Sequence, residues 1–313
     1  MLNIEGEILM KKSLIALAVA GALTAPMVAQ ADATLYGSLR IKLVDNDANG
    51  TDVVDNSSRI GIRGSSDLFS GAKAIFQFEQ AVSTETGAFA GGRLANLGVT
   101  GSLGTAIFGR IWTPYYNWTG AKTDIADNGT SASSTYVVGV HRASDVIAYV
   151  SPNLSGFQVA AAVLADDTTS GAGDDSESVD ATHVAANFEA NGFSIGASYL
   201  DFEESTLGAA LAYENVASAA ASYSMGDFYV ATRYEDREVI GTGADQDAWE
   251  LAASYSMGNT KLIANYIDDD VNADEQWSVE VQHKLGEQAR VFAAIADYSA
   301  NNEGFEVGYR VDF

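Results

Sequence analysis

The stretch Ala248–Ile267, with the sequence AWELAASYSMGNTKLIANYI, decides the fold class of this chain. Apolar and polar side chains alternate along its first half, and Lys261–Ile267 resumes the alternation after the short turn Met257-Gly258-Asn259. A period of two residues indicates a strand with one apolar and one polar face. The stretch therefore predicts a β-hairpin with the following two faces: Trp249, Leu251, Ala253 and Tyr255 on one side, and Glu250, Ala252 and Ser254 on the other.

The same alternation continues from Thr34 to the terminal Phe313 and is broken by connections of two kinds. Seven short turns, near residues 67, 102, 153, 190, 226, 258 and 286, alternate with eight longer and mostly acidic loops. With both termini on the side of the short turns, this count predicts an all-β fold: a closed barrel of sixteen antiparallel transmembrane strands. A soluble β-sandwich shares the period, but its long connections would not fall on one side only.

Composition excludes several classes of function. The formal charge is −25 and the sequence pI about 4.2, which argues against nucleic acid as a partner. The absence of cysteine excludes a disulfide framework and thiolate metal sites, and we expect no cofactor. Three prolines are few for 313 residues, as expected of a chain made mostly of paired strands.

The first thirty-one residues are predicted to lie outside the fold. Met10-Lys11-Lys12 is followed by the apolar run 14–25, and Ala29-Gln30-Ala31 ends the segment. A basic start, a short apolar run and a small-x-small ending are typical of a secretory signal peptide. We therefore expect residues 1–31 to be removed, Met10 to be the true start, and residues 32–313 to form the barrel domain.

Three segments leave the regular pattern. Residues 45–56 and 82–91 are polar and are predicted to be loops, and the facing of the strand 93–100 is ambiguous because Arg93 shares the parity of Leu97. Arg110 shares the parity of the outward Phe108. An arginine that faces lipid near mid-bilayer costs about 2–4 kcal/mol. Arg110 is therefore expected above the membrane or against a neighbouring subunit.

The longest interruption lies between Gly109-Arg110 and Ser151-Pro152. About thirty residues there show no alternation, and they carry Asp124, Asp127 and Gly129 beside a Ser/Thr cluster. A loop of this length inside a regular β-chain is usually functional or disordered. We expect it to fold into the lumen of the barrel and to control what passes.

Several segments resemble the general porins of Gram-negative bacteria. These are Thr34-Leu35-Tyr36-Gly37, the pair 58–64 and 71–79, the segment from Gly98 to Arg110, the return from Arg142 to Pro152, and the terminal Phe313 with the outward Tyr309 and Phe305. The resemblance covers the mature chain and is loose between residues 165 and 300. The loop sequence 124–129 is not a close copy of the family's acidic loop motif.

The resemblance implies a trimeric, water-filled diffusion channel in the outer membrane. In that family the third loop narrows the pore, and its carboxylates face basic residues on the opposite wall. Here the resemblance assigns Asp124 and Asp127 to the loop, and Phe305, Tyr309 and Phe313 to the signal read by the outer-membrane assembly machinery. The basic wall residues would be Arg59, Arg93 and Arg142 by position and Arg40 by its inward parity.

The leading hypothesis is a porin for ions and small hydrophilic solutes with a weak preference for cations. The alternative is a channel selective for sugars or short oligosaccharides, which would use the lumen aromatics Tyr36, Trp112, Tyr115 or Trp118. An enzyme built on the barrel is disfavoured because no spacing supplies a catalytic set. A surface adhesin is disfavoured because no loop is long enough to form a domain. We expect outer-membrane lipid and lipopolysaccharide to be partners of the barrel. The acidic runs 166–167, 174–175 and 268–270 could bind divalent cations that bridge lipopolysaccharide phosphates.

Overall fold

The computed structural model describes residues 32–47, 50–128, 141–165, 179–202, 213–270, 275–297 and 303–313. The strands within these ranges are β1 Asp32–Asn46, β2 Gly50–Asp55, β3 Arg59–Asp67, β4 Lys73–Val82, β5 Phe89–Gly101, β6 Gly104–Trp112, β7 Arg142–Val150, β8 Phe157–Leu164, β9 Ala181–Ala190, β10 Phe193–Asp201, β11 Tyr213–Met225, β12 Phe228–Val239, β13 Asp245–Met257, β14 Thr260–Asp269, β15 Gln276–Lys284, β16 Ala289–Asp297 and β17 Glu303–Asp312. The predicted signal peptide and Gly129 lie outside the described residues.

The strands form one closed antiparallel ring. Consecutive strands from β3 to β17 pair in order, and β1 pairs with β17 to close the barrel, with Ser38 opposite Asp312. The lower part of β1 pairs with β3 and its upper part with β2. Strands β2 and β3 are therefore two halves of one wall strand, interrupted around Ser57, whose φ is 63°. Counted this way, the described residues form sixteen wall strands, as the sequence predicts.

The two faces of the wall differ as the alternation predicts. In β13, Trp249 and Leu251 are 50% and 52% exposed, whereas Glu250 between them is 1% exposed. The exposed apolar face of a closed membrane barrel contacts lipid, and the polar residues turn to the inside. All seven predicted short turns are present among the described residues, at 68–72, 102–103, 151–156, 191–192, 226–227, 258–259 and 285–288.

Two predicted loops are wrong in extent. The segment 45–56 is not a loop, because β1 continues to Asn46 and β2 pairs with it from Gly50 to Asp55. Between β4 and β5 only residues 83–88 remain outside strands. Pairing in both places is made by backbone groups, which need no apolar side chains. Polar strand ends were therefore indistinguishable from loops in the sequence pattern.

A bulge settles the facing of Arg93. Glu79 pairs with Leu94, but the next residue, Gln80, pairs with Gly92, so Arg93 is an extra residue in β5. Such a residue escapes the alternation of its strand. The Arg93 guanidinium Nε consequently lies 2.5 Å from Glu79 Oε1, a side chain on the buried face.

The long insert begins with a short helix, α1, Pro114–Trp118. Thr113 caps it by accepting a hydrogen bond from Tyr116 N at its side-chain oxygen, and Pro114 occupies the first helical position. Behind α1, Tyr115 packs into an apolar cluster on the buried face of β6–β11. Its members include Ile111, Leu164, Ala181, Leu200, Phe202 and Val216. No helix in the described ranges is long and apolar enough to cross a membrane.

Candidate functional site

Arginines recur along one side of the wall, on the buried polar face of strands that lie next to each other or one strand apart. They lie on β16, β17, β1, β3, β5 and β7, and where a side-chain exposure is recorded it lies between 12% and 26%. We call this set the arginine strip: Arg290, Arg310, Arg40, Arg59, Arg93 and Arg142. Strand β1 carries Arg40 on the same parity as the buried Ser38, so the alternation alone places it there.

Asp127 of the long insert binds three members of the strip. Its carboxylate accepts from Arg290 Nε at 2.5 Å and Arg290 Nη2 at 2.9 Å, which makes a bidentate pair. Arg310 Nη1 donates to the same carboxylate at 3.0 Å, and Arg40 Nη1 lies 3.8 Å away. Bidentate arginine pairs fix geometry as well as charge. One loop carboxylate thus joins β16, β17 and β1.

The backbone around Asp127 is held as firmly as its side chain. Glu280 of β15 accepts from Asp127 N at 3.0 Å and from Asn128 N at 2.7 Å. Asn56, from the interruption between β2 and β3, donates its side-chain amide to Asp127 O at 2.7 Å. These contacts bind the insert to elements more than seventy positions away in the chain.

The charges around Asp127 determine its protonation. Burial would raise the pKa of this carboxyl, but hydrogen bonds from Arg290 and the positive charges of Arg290, Arg310 and Arg40 outweigh it, and its pKa is lowered. The carboxylate is therefore ionised at neutral pH, and the clamp between the insert and the arginine strip is charged on both sides.

The other end of the strip is arranged around Trp112. Arg142 and Arg93 place their guanidinium carbons 4.8 Å and 5.8 Å from the Trp112 ring centroid, within cation–π range. Tyr116 stacks on Trp112 at 4.3 Å, and its hydroxyl donates to Asp124 Oδ2 at 2.7 Å. Tyr116 thereby fixes Asp124 beside this end of the strip.

A second charged group lies beneath the insert, on β12 and β14. Arg233 Nη2 and the Tyr115 hydroxyl both donate to Glu235 Oε2, and Arg237 Nη2 donates to Asp269 at 2.9 Å. The four charged side chains are at most 1% exposed. We call Arg233, Glu235, Arg237 and Asp269 the buried charge cluster. It contacts α1 through the Tyr115 hydroxyl and is buried from solvent.

Further contacts seat the insert on the neighbouring strands. Lys122 donates to Asn187 of β9 at 3.2 Å and to Ser194 of β10 at 2.7 Å. Thr123 donates to Glu250 of β13. At Gly196 of β10, a Cβ would overlap the carbonyl oxygen of Trp118. Because the φ of Gly196 is not in the left-handed region, the glycine is needed here for this close approach alone.

This fold is shared with solved outer-membrane channels. The anion-selective porin from Comamonas acidovorans aligns with a TM-score of 0.73 at 19% identity, over 91% of this chain and 100% of that one. The trimer form of OmpT from Vibrio cholerae aligns with a TM-score of 0.69 at 18% identity, over 90% and 99%. The family model for the Gram-negative porin matches residues 16–303.

The chain belongs to the Gram-negative porin family. Its relatives include the major outer membrane protein P.IB of Neisseria gonorrhoeae, 32% identical over 204 residues, which are 59% of this chain and 55% of that protein. The same protein from Neisseria lactamica is 30% identical over 202 residues, 59% of this chain and 57% of the relative. The chain spans little more than half the length of these curated relatives. Family and fold together place the porin in the outer membrane.

The structure brings most of the predicted site residues of this porin together. Arg40, Arg59, Arg93 and Arg142 lie in one strip, and Asp127 contacts it directly. Asp124 lies beside the strip through Tyr116. Sequence reasoning misses Arg290, Arg310, Glu79 and Glu280. The polar parity of β15 and β17 could have flagged Glu280 and Arg310, but nothing in the sequence pairs either of them with Asp127.

The remaining predicted residues lie elsewhere. Arg110 is opposite Ala95 on the exposed face, where Nη1 donates to Ser144 Oγ at 2.8 Å and Nε reaches the carbonyls of Gly92 and Arg93. Phe305, Tyr309 and Phe313 are 42–45% exposed in or directly after the last strand.

The aromatic residues of the sugar alternative are mostly engaged. Tyr115 is fully buried, Tyr116 covers a face of Trp112, and the Tyr36 hydroxyl binds Glu79 at 3.0 Å. Among the described residues no group of three His, Cys, Asp or Glu side chains is placed to hold a metal ion. The acidic runs 166–167 and 174–175 lie outside those residues.

Proposed function

We propose that this porin is a passive diffusion channel for ions and small hydrophilic solutes, constricted by its third loop. The observation that carries the proposal is the reach of one short segment, residues 113–128. It contacts the buried face of β9 and β10 through Lys122, of β12 through Tyr115, and of β16, β17 and β1 through Asp127. A segment of only sixteen residues can reach strands this far apart around the ring by crossing the inside of the barrel.

The proposed aqueous path lies between the loop and the arginine strip. On the strip side the guanidiniums are partly exposed, whereas the wall behind α1 is filled by the apolar cluster and the buried charge cluster. Asp124 and the strip would then be opposed across the constriction. Opposed charges produce a transverse field that favours small polar solutes, and the free radius sets the size limit.

Charge selectivity would follow from two opposing features. The six arginines of the strip outnumber the five carboxylates around them, Glu79, Asp124, Asp127, Glu280 and Asp312, so this set of described side chains is net positive. The whole chain carries −25, so its other regions are strongly acidic. The Debye length is about 30 Å at 0.01 M and about 3 Å at 1 M. We therefore propose a weak cation preference at low salt that declines as the acidic loops are screened.

We further propose that the porin is a homotrimer assembled in contact with outer-membrane lipid and lipopolysaccharide, with the C-terminal Phe305, Tyr309 and Phe313 read by the assembly machinery. The trimer form of the Vibrio cholerae protein, which shares the fold, supports self-association. The exposed Phe313 is held at the barrel edge, where it exchanges backbone hydrogen bonds of 2.8 Å and 3.1 Å with Gly37.

Planar-bilayer recording tests the proposal. Purified protein that retains its folded, heat-modifiable form should insert with conductance steps in groups of three. Under a salt gradient its reversal potential should favour cations at low ionic strength and move towards zero or towards anions at high ionic strength. Saturation of the current by a sugar would favour the solute-selective alternative. Absence of current from folded protein would refute the diffusion channel.

A further inference from the structure

Large apolar side chains stand on the short-turn rim of the barrel. Six of the seven turns in the described residues carry one, either in the turn or at the strand residue directly before it, with exposures from 46% to 83%. Four of the turns share a pattern in the sequence, a serine or lysine followed by Leu or Met and then Gly. We call these six residues the turn collar: Phe69, Leu103, Leu154, Met225, Met257 and Leu285.

The collar continues the lipid-facing side of the wall. In β13 the exposed Trp249 and Leu251 and the partly exposed Tyr255 share their parity with Met257, the last residue of the strand. In β11 Tyr223 shares its parity with Met225 in the same way. Successive side chains of a strand point to opposite faces, so both methionines point outwards.

The collar lies beyond a row of aromatic rings. Phe193 stacks with Tyr223 at 4.2 Å between centroids, and Phe228 packs with Tyr255 at 4.4 Å. Met225 is two residues past Tyr223, which is about 6–7 Å further along the strand. If the aromatic rings marked the edge of the membrane, as aromatic girdles do in outer-membrane barrels, the collar would stand in water.

We propose that the turn collar is immersed in the phospholipid of the periplasmic leaflet, so that contact with lipid extends past the aromatic row to the turns. Short turns face the periplasm in these barrels. The collar residues are spread around the rim on separate turns. A globular partner would cover one side of such a ring, whereas a lipid leaflet contacts the rim wherever no neighbouring subunit of the proposed trimer covers it. The collar is also continuous with the apolar face that lipid already covers.

The structure supplies a comparison within each turn. Asp227 follows Met225 by two residues, and Asn259 follows Met257 by two. The fourth turn, Asn191-Gly192, carries no large apolar residue.

Site-directed fluorescence tests the inference, because the chain has no cysteine. Single variants Met225→Cys and Asp227→Cys would carry an environment-sensitive nitrobenzoxadiazole label, on folded protein in phospholipid vesicles whose acyl chains are brominated near the headgroup. Interfacial side chains lie about 5–10 Å deep at the boundary of headgroups and acyl chains. We expect the label at 225 to emit at shorter wavelength, to be quenched more by bromolipid and to be quenched less by aqueous iodide than the label at 227.

A second pair, Met257→Cys and Asn259→Cys, repeats the comparison if either first variant fails to fold, and Asn191→Cys supplies a turn without a collar residue. Equal iodide quenching at 225 and 227, and at 257 and 259, with no added quenching by bromolipid would overturn the inference. That result, in vesicles that contain only this protein and phospholipid, would show that the collar lies in water and is available to a periplasmic protein. Because channel current is not the readout, failure of the collar proposal leaves the diffusion function standing.

Discussion

Two groups of arginines occupy the same polar face of the wall and bind carboxylates, but they differ in how far they are buried. Arg233 and Arg237, behind the loop, are 0–1% exposed at their side chains and are bound to Glu235 and Asp269. The arginine strip keeps its side chains partly exposed, with Arg290 at 26%. The alternation of side chains along each strand places both groups on the inner face, and it does not show which arginines are buried by the loop.

The difference lies in what the third loop covers. Where α1 rests on the wall, an arginine loses water and must be compensated by carboxylates and by the Tyr115 hydroxyl. Where the loop meets the wall through Asp127 and Asn128, the neighbouring arginines keep part of their side chains exposed. The same type of side chain thus supports the loop where it is buried and, in the proposed channel, would meet solutes where it is partly exposed.

The largest effect is expected when the buried charge cluster is broken. Glu235→Gln leaves Arg233 buried beside a neutral partner, and removal of one member of a buried ion pair costs about 3–5 kcal/mol. The variant should lose its folded form at a clearly lower temperature in a heat-modifiability assay. Arg59→Gln is the matched change in the strip, where Arg59 Nε lies 4.0 Å from Glu79 Oε2. This variant should leave the temperature of unfolding nearly unchanged. Equal shifts in both variants would contradict the distinction between the two groups.

The next effect concerns the clamp between the loop and the strip. Asp127→Asn removes the negative charge that compensates Arg290, Arg310 and Arg40. The constriction becomes more positive, and the reversal potential should move towards anions. Asp67→Asn, at an exposed turn beside Lys73, is the control and should not change it. A reversal potential unchanged by the loop substitution would remove Asp127 from the ion path.

Acid should reproduce this substitution. The pKa of Asp127 is lowered in the folded protein, so the stabilisation from its ionised form is complete above the unfolded value of about 3.9 and is lost as pH falls through the lower folded value. Selectivity controlled by Asp127 should therefore persist from pH 7 to about pH 4 and approach that of the Asn variant only below it. A transition near pH 6 would assign the effect to a different group.

A smaller change is expected at the seat of the loop. Gly196→Ala places a methyl group against the Trp118 carbonyl oxygen, and backbone must move away from β10 into the lumen. Single-channel conductance should fall while the trimer remains folded. Gly286→Ala, at a turn position with nothing within 4 Å, is the matched control. Unchanged conductance in the Gly196 variant would show that this seat does not control the width of the path.

Local pattern was sufficient to predict the wall. The period of two, the short turns and the parity of strands such as β13 and β17 follow from alternation that each segment carries by itself. The exceptions are local too. The bulge at Arg93 and the pairing of β2 depend on backbone register, which leaves no mark on the spacing of apolar residues.

The site was only partly predictable because its partners are far apart in the chain. Asp127 and Arg290 are 163 positions apart, and Asp127 and Arg310 are 183. The sequence shows that each is charged and on which face it lies, but not which carboxylate binds which guanidinium. Burial of Tyr115 under an apolar cluster likewise follows from the path of the loop and not from its composition.

The most direct test of the account is the reversal potential of the Arg59→Gln variant in a planar bilayer under a salt gradient. Arg59 belongs to the strip, whereas Lys73→Gln removes the same charge from an exposed turn, where the lysine is 54% exposed beside Asp67. If the strip faces the ion path, the Arg59 variant should shift towards cations relative to the unmodified protein, and the Lys73 variant should not. Equal reversal potentials for the three proteins would contradict the claim that the arginine strip lines the constriction.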